Sequence, residues 1–186
     1  MKKSAGFTLI VLIVATFISI VLLLALCQLF VSQNSTYVSN ANTVRTMQTA
    51  RYSMVKLFKE IQMAGYKTAP GLSVGISTAN ESGLRFLTDL NLDGTILGDK
   101  EDVTITYDAN AKTLTRNGNP YMSNIENFSF SYMLLDGSVT TTPADLTQVR
   151  KIRIQMTMRS EKLDILTKNY KTFTINLDVT PRNLGI

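Results

Sequence analysis

Few residues in this chain are of types that could do chemistry, and two scarce types set the limits. Histidine is absent, and the one cysteine, Cys27, lies inside an uncharged apolar run. This removes the commonest general base and transition-metal ligand, and a lone cysteine cannot form an internal disulfide. A Ser-His-Asp set, a Cys/His metal cluster or a phosphate-cradling glycine loop cannot be assembled. The carboxylates offer one pattern. Asp89, Asn91 and Asp93 alternate ahead of Gly94, like the first half of a calcium loop, in which alternate oxygen donors precede a glycine at a sharp turn. A backbone carbonyl near Thr95 would be the next donor. The full motif wants Glu at its twelfth position, which is Lys100; Asp99 falls one residue early, and Glu101 and Asp102 fall one and two late. Asp89, Asn91, Asp93 and Thr95 are therefore candidate calcium ligands. The plainer expectation is a polar hairpin loop in which Asp, Asn and Gly supply turn geometry. The densest basic cluster is Arg150-Lys151-x-Arg153. On a strand Lys151 and Arg153 would share one face and Arg150 the other, which reads as a solvated face more than a nucleic-acid patch. No spacing points to catalysis, so the expectation is a protein that is not an enzyme, with calcium as the sole candidate cofactor.

A second kind of chemistry would be done to the chain. Lys2 and Lys3 precede Ser4, Ala5 and Gly6; then come Phe7, Thr8, Leu9 and Ile10. Residues 7–31 carry no charge, and the next charge is Arg45. About 20 apolar residues suffice to cross a bilayer, so 7–31 can span it with some tilt. Lys2 and Lys3 would then stay on the cytoplasmic side. The run is longer than the apolar core of a secretory signal, and no Ala-x-Ala-like site follows it. An uncleaved signal anchor would need only the charge and the length.

The junction itself says more. Gly6-Phe7-Thr8-Leu9-Ile10, between a basic leader and a spanning segment, resembles the processing site of type IV prepilins and type II secretion pseudopilins. That resemblance implies cleavage between Gly6 and Phe7 by the prepilin peptidase, which then methylates the new N-terminal Phe7. Residues 1–6 would be a leader, and the retained helix would pack against the helices of other subunits. The family usually carries Glu at the fifth mature position, thought to neutralise a neighbour's terminal amine. Here that position is Val11, which implies a minor, non-major subunit and not the bulk building block.

These segments need elements to position them. Of the 186 residues, 66–186 lie beyond the expected helix, enough for one core-bearing domain. The formal net charge is +5, to which Lys2 and Lys3 of the leader contribute. Met47, Ala50, Met54, Leu57, Phe58 and Ile61 recur at spacings of three and four, with Gly65 as a helix stop and Pro70 soon after. A single helix over 7–65, membrane-spanning over 7–31 and amphipathic in its second half, is expected; the Ser/Asn-rich stretch 33–42 is where it would fray. After Gly65 the period becomes two. Strands are expected at 84–88, 102–107, 112–116, 125–134, 152–158 and 173–179, and loops at 71–83 and 138–146. The expected fold class is α+β: a long N-terminal helix packed on an antiparallel sheet, pilin-like. The helix end 51–66, closing in Ala64-Gly65-Tyr66, resembles that of PilW-like minor pilins. So do 124–132 followed by Asp136-Gly137, then 149–159 and the closing strand. The resemblance implies a minor subunit acting in assembly or priming of a type IV pilus. Its place would be the bacterial inner membrane, with the C-terminal domain outside the cytoplasm, and its partners the prepilin peptidase and other pilin subunits. A type II secretion minor pseudopilin, or a membrane-tethered adhesin or DNA-uptake module, is the alternative.

Overall fold

The computed structural model describes residues 5–67, 71–164 and 167–184, with the backbone alone for 5–8. Helix α1, Ala5–Gln62, is one uninterrupted element of 58 residues, about 87 Å long at 1.5 Å per residue. From Phe7 to Ala64 the sequence has neither proline nor glycine. The Ser/Asn-rich stretch does not fray. Ser35 and Thr36 donate their hydroxyls to the Ser32 carbonyl, Thr43 to Ser39 and Thr46 to Asn42. These polar side chains close on their own helix instead of competing with it. The helix starts two residues earlier than expected and ends at Gln62, where residues 63–65 form a turn and Gly65 takes φ +82°.

The rest of the chain forms two antiparallel sheets where one was expected. The first contains, in spatial order, β1 (Gly75–Ala79), β2 (Gly83–Leu87), β3 (Asp102–Asp108), β4 (Thr113–Arg116) and β5 (Asn119–Ser123). The second is built from β6 (Ile125–Leu134), β7 (Val139–Thr140), β8 (Val149–Arg159) and β9 (Thr172–Val179), in the order β7-β6-β8-β9. Asn124, at φ +63°, is the single residue between β5 and β6, where the chain leaves one sheet for the other. Strands β1, β5 and β7 occupy stretches not expected to be strands. β1 and β7 are short, and β5 sets Tyr121 beside Met122 with Pro120 before them, so no alternation announces it.

Register explains the core. Leu84 faces Ile105 and Phe86 faces Val103 across β2 and β3. Phe130 faces Ile154, which faces Leu177 in turn. The alternate residues point the other way, to solvent. Ala50, Met54, Leu57 and Ile61 of α1 complete the same buried cluster. α1 packs against β9 and β5. Tyr121 donates its hydroxyl to the Ser53 carbonyl at 3.1 Å, and Arg116 Nε lies 2.9 Å from Glu60 Oε2. Tyr132, fully buried, joins the sheets by donating to the carbonyls of Asn80 and Gly83; burial raises its phenol above the usual range.

The ion pairs fix how stability responds to acid. The hydrogen bond from Arg85 lowers Asp102, that from Lys112 lowers Glu126, and that from Arg153 lowers Asp178. Carboxylates lowered on folding stabilise fully above their unfolded range and lose that contribution as pH falls through the folded values. The chain has no histidine, the side chain whose ordinary charge change lies between pH 5 and 8. Thermal melts of the chain in detergent are expected to be flat from about pH 5 to 8 and to fall below about pH 4. A step near neutral pH would contradict this.

Candidate functional site

Two places carry the candidate residues. The first is the N-terminal rod. The backbone runs helically through Gly6 and Phe7, so the junction lies in the first turns of α1. Residues 1–4 of the expected leader, and the side chain of Phe7, lie outside the described residues. From Leu9 to Val31 every residue is exposed, with no other element of the described residues packed over it. Val11 is half exposed on this surface, flanked by Leu9, Ile10, Leu12 and Ile13. Thr16 and Ser19, the hydroxyls in the run, donate to the carbonyls of Ile13 and Ala15. Between Leu9 and Val31 the rod thus presents a surface of apolar side chains and Gln28, with the hydroxyls of Thr16 and Ser19 closed inward. By length and composition, α1 is a candidate membrane span.

Further along, α1 has two unlike faces. At 3.6 residues per turn the buried set of Ala50, Met54, Leu57 and Ile61 lies on one side. Tyr37, Val44, Tyr52 and Val55 cluster on the other and are all exposed, Tyr37 and Tyr52 at 74%. Exposed apolar and aromatic side chains therefore recur along the outside of the docked helix, interspersed with the exposed Arg45, Gln48 and Lys59. Their recurrence was not foreseen, because the inner stripe of the same helix dominates the pattern.

The second place is the loop 88–101. Asn91, Asp93 and Thr95 come together there. Asn91 Oδ1 accepts from the Asp93 amide at 3.0 Å, and Asn91 Nδ2 donates to Asp93 Oδ2 at 2.8 Å. Asp93 Oδ1 accepts from both the amide and the hydroxyl of Thr95, each at 2.7 Å. Those bonds hold the Asp93 carboxyl below its usual range. Asp89 is buried away from this exposed turn, and its amide donates to the Tyr66 carbonyl. Glu101, 3% exposed, organises the loop from within. Its Oε1 accepts from the amides of Leu90 and Asn91 at 3.2 Å, and its Oε2 accepts from that of Leu97 at 3.0 Å. Among the described residues, no three of His, Cys, Asp or Glu are grouped to hold a metal ion. The loop's own bonds account for its shape as a hydrogen-bonded turn. The basic residues behave as surface groups: Lys151 and Arg153 pair with Asp178.

No family model, curated protein or solved structure matches the chain.

The geometry therefore stands by itself. It offers a long apolar helical rod, a domain packed on one face of its second half, and exposed apolar and aromatic side chains on the opposite face. Among the described residues, the apolar side chains of the rod and of the outer helix face are left exposed.

Proposed function

We propose that the chain is a minor, pilin-like structural subunit, cut after Gly6, methylated at Phe7, and joined to other subunits through α1 in a type IV pilus. The observation that carries this is the helix itself. α1 runs unbroken from the Gly6 junction through the candidate span to Gln62, while one side of its second half holds the domain. A plain tether needs a span and a linker. It has no use for a rigid rod of about 87 Å with an exposed stripe of Tyr37, Val44, Tyr52 and Val55 beyond the membrane. The same features suit a minor pseudopilin of a type II secretion system.

A membrane-tethered adhesin or DNA-uptake module is the second reading, because Val11, which marks a minor subunit over a major one, also weakens ordinary filament entry. Without a carboxylate there, the chain cannot neutralise a neighbour's terminal amine, so ordinary incorporation loses one of its contacts. Location separates the two. If the chain is a subunit, sheared filaments contain it, and Tyr52→Glu with Val55→Glu removes it from them while the domain still folds. A chain confined to membranes, with filaments lacking it, supports the tether.

A further inference from the structure

The β8–β9 hairpin runs alongside α1, and its ends can be placed by contacts. Past the far end of β9, the Arg182 amide donates to the Gln62 carbonyl at the close of the helix. At the near end, Ser39 Oγ donates to Asp164 Oδ2 at 2.6 Å, and Lys171 Nζ lies 3.4 Å from Asn40 Oδ1. β9 thus leads away from the candidate span, and among the described residues of the domain, 160–164 and 167–171, at the tip of the hairpin, lie nearest to it. Ser39 is eight residues past Val31, about 12 Å along the axis. A headgroup layer of roughly 5–7 Å takes up about half of that distance. The remainder is less than the Debye length of about 8 Å at physiological salt.

What the tip presents fits such a surface. Lys162, Leu163, Lys168 and Tyr170 are all exposed. Among the described residues, neither Lys162 nor Lys168 has a carboxylate within salt-bridge distance. The acidic residues of the hairpin turn elsewhere. Asp164 is buried against Ser39 and Lys171. Glu161 lines the groove that also contains Arg45, higher up the helix. Tyr170 is held by the Arg159 guanidinium, 4.5 Å over its ring, which leaves its edge for an interface that tyrosine favours.

We propose that the hairpin tip, through Lys162, Leu163, Lys168 and Tyr170, rests on the anionic lipid headgroups of the bilayer that α1 crosses. The contact would fix the tilt of the domain over the membrane before the chain engages any partner. It rests on the reading of 7–31 as a span, but not on processing or filament entry.

The test is hydrogen exchange of the full chain in lipid nanodiscs, comparing phosphatidylglycerol-containing with pure phosphatidylcholine discs at low salt. Amides of 160–164 and 167–171 are expected to exchange about tenfold more slowly in the anionic discs. High salt, or Lys162→Glu with Lys168→Glu, should abolish the difference while β8 and β9 stay protected. Equal exchange in the two discs overturns the proposal. So does protection that survives charge reversal, or that grows with the number of chains per disc, which marks contact between copies. If the variant unfolds, the wild-type lipid and salt comparison still decides. Failure of the spanning reading shows separately, as unprotected amides in the 9–31 segment.

Discussion

Alanine at Gly65 is expected to lower the melting temperature of the chain by about 4–16 °C. Gly65 sits just past the end of α1 at φ +82°, and its amide donates to the Leu87 carbonyl of β2. A left-handed backbone costs an ordinary residue about 1–2 kcal/mol. Space adds to that. A Cβ on Gly65 would stand 2.5 Å from the Asn183 carbonyl oxygen, which is backbone and cannot swing aside. The segment 180–184 would have to lift, and with it the bond from Arg182 to Gln62. Together these terms come to about 2–4 kcal/mol. Gly118 provides the control. Its φ of +76° is similar, but open space surrounds it, so Gly118→Ala should cost only the backbone part. Equal losses for the two variants would show that the clamp of 180–184 on the helix end is energetically empty.

Glu101→Ala is the second large loss. It removes the acceptor for three amides at once, inside a site closed to solvent. Unmade hydrogen bonds in such places cost about 1–3 kcal/mol each, and water entering from the exposed side of the loop recovers part, so about 3 kcal/mol is expected. Glu101→Gln should fall between, because an amide nitrogen cannot accept. The amides of Leu90, Asn91 and Leu97 should lose hydrogen-exchange protection first, while β6 and β8 retain theirs. A drop below about 1 kcal/mol would mean that the loop holds its shape without Glu101.

Glu101 also shows what was legible in the sequence. Measured against a calcium loop, it stands one residue late for a metal ligand, and by that standard it is a departure. It is in fact the acceptor around which the loop closes, and the turn of Asn91, Asp93 and Thr95 follows from their own bonds. Asx-type turns and calcium loops share Asp, Asn and Gly because both need short side chains that bond nearby amides. The sequence pattern does not separate them.

The long helix and the strands β2, β3, β6, β8 and β9 were legible because each repeats its apolar residues at one period, whereas β4, with Leu114 alone, was legible as the return strand after the turn at 108–111. β5 was passed over although its turn was written out. Asn117 and Gly118, at φ +50° and +76°, make the two-residue connection from β4, and Asn-Gly between strands is a strong short-range hairpin signal. The division into two sheets had no local signature. It depends on the crossing at Asn124 and on bonds between distant residues, such as the Tyr107 hydroxyl to the Ile125 carbonyl and the Phe130 amide to the Glu81 carbonyl. The exposed stripe on α1 was hidden for a different reason. Tyr37, Val44, Tyr52 and Val55 are apolar residues that the inner stripe already accounts for in composition, and only docking reveals which side they face.

In the proposed function the apolar rod is kept and carries a new N-terminus made at Phe7. The mass of the N-terminal peptide, taken from membranes with and without the prepilin peptidase, tests it most directly. A species beginning at N-methylated Phe7 is expected in the first sample and the uncut leader in the second. An uncut N-terminus in both samples, or a product beginning downstream of Val31, would contradict it.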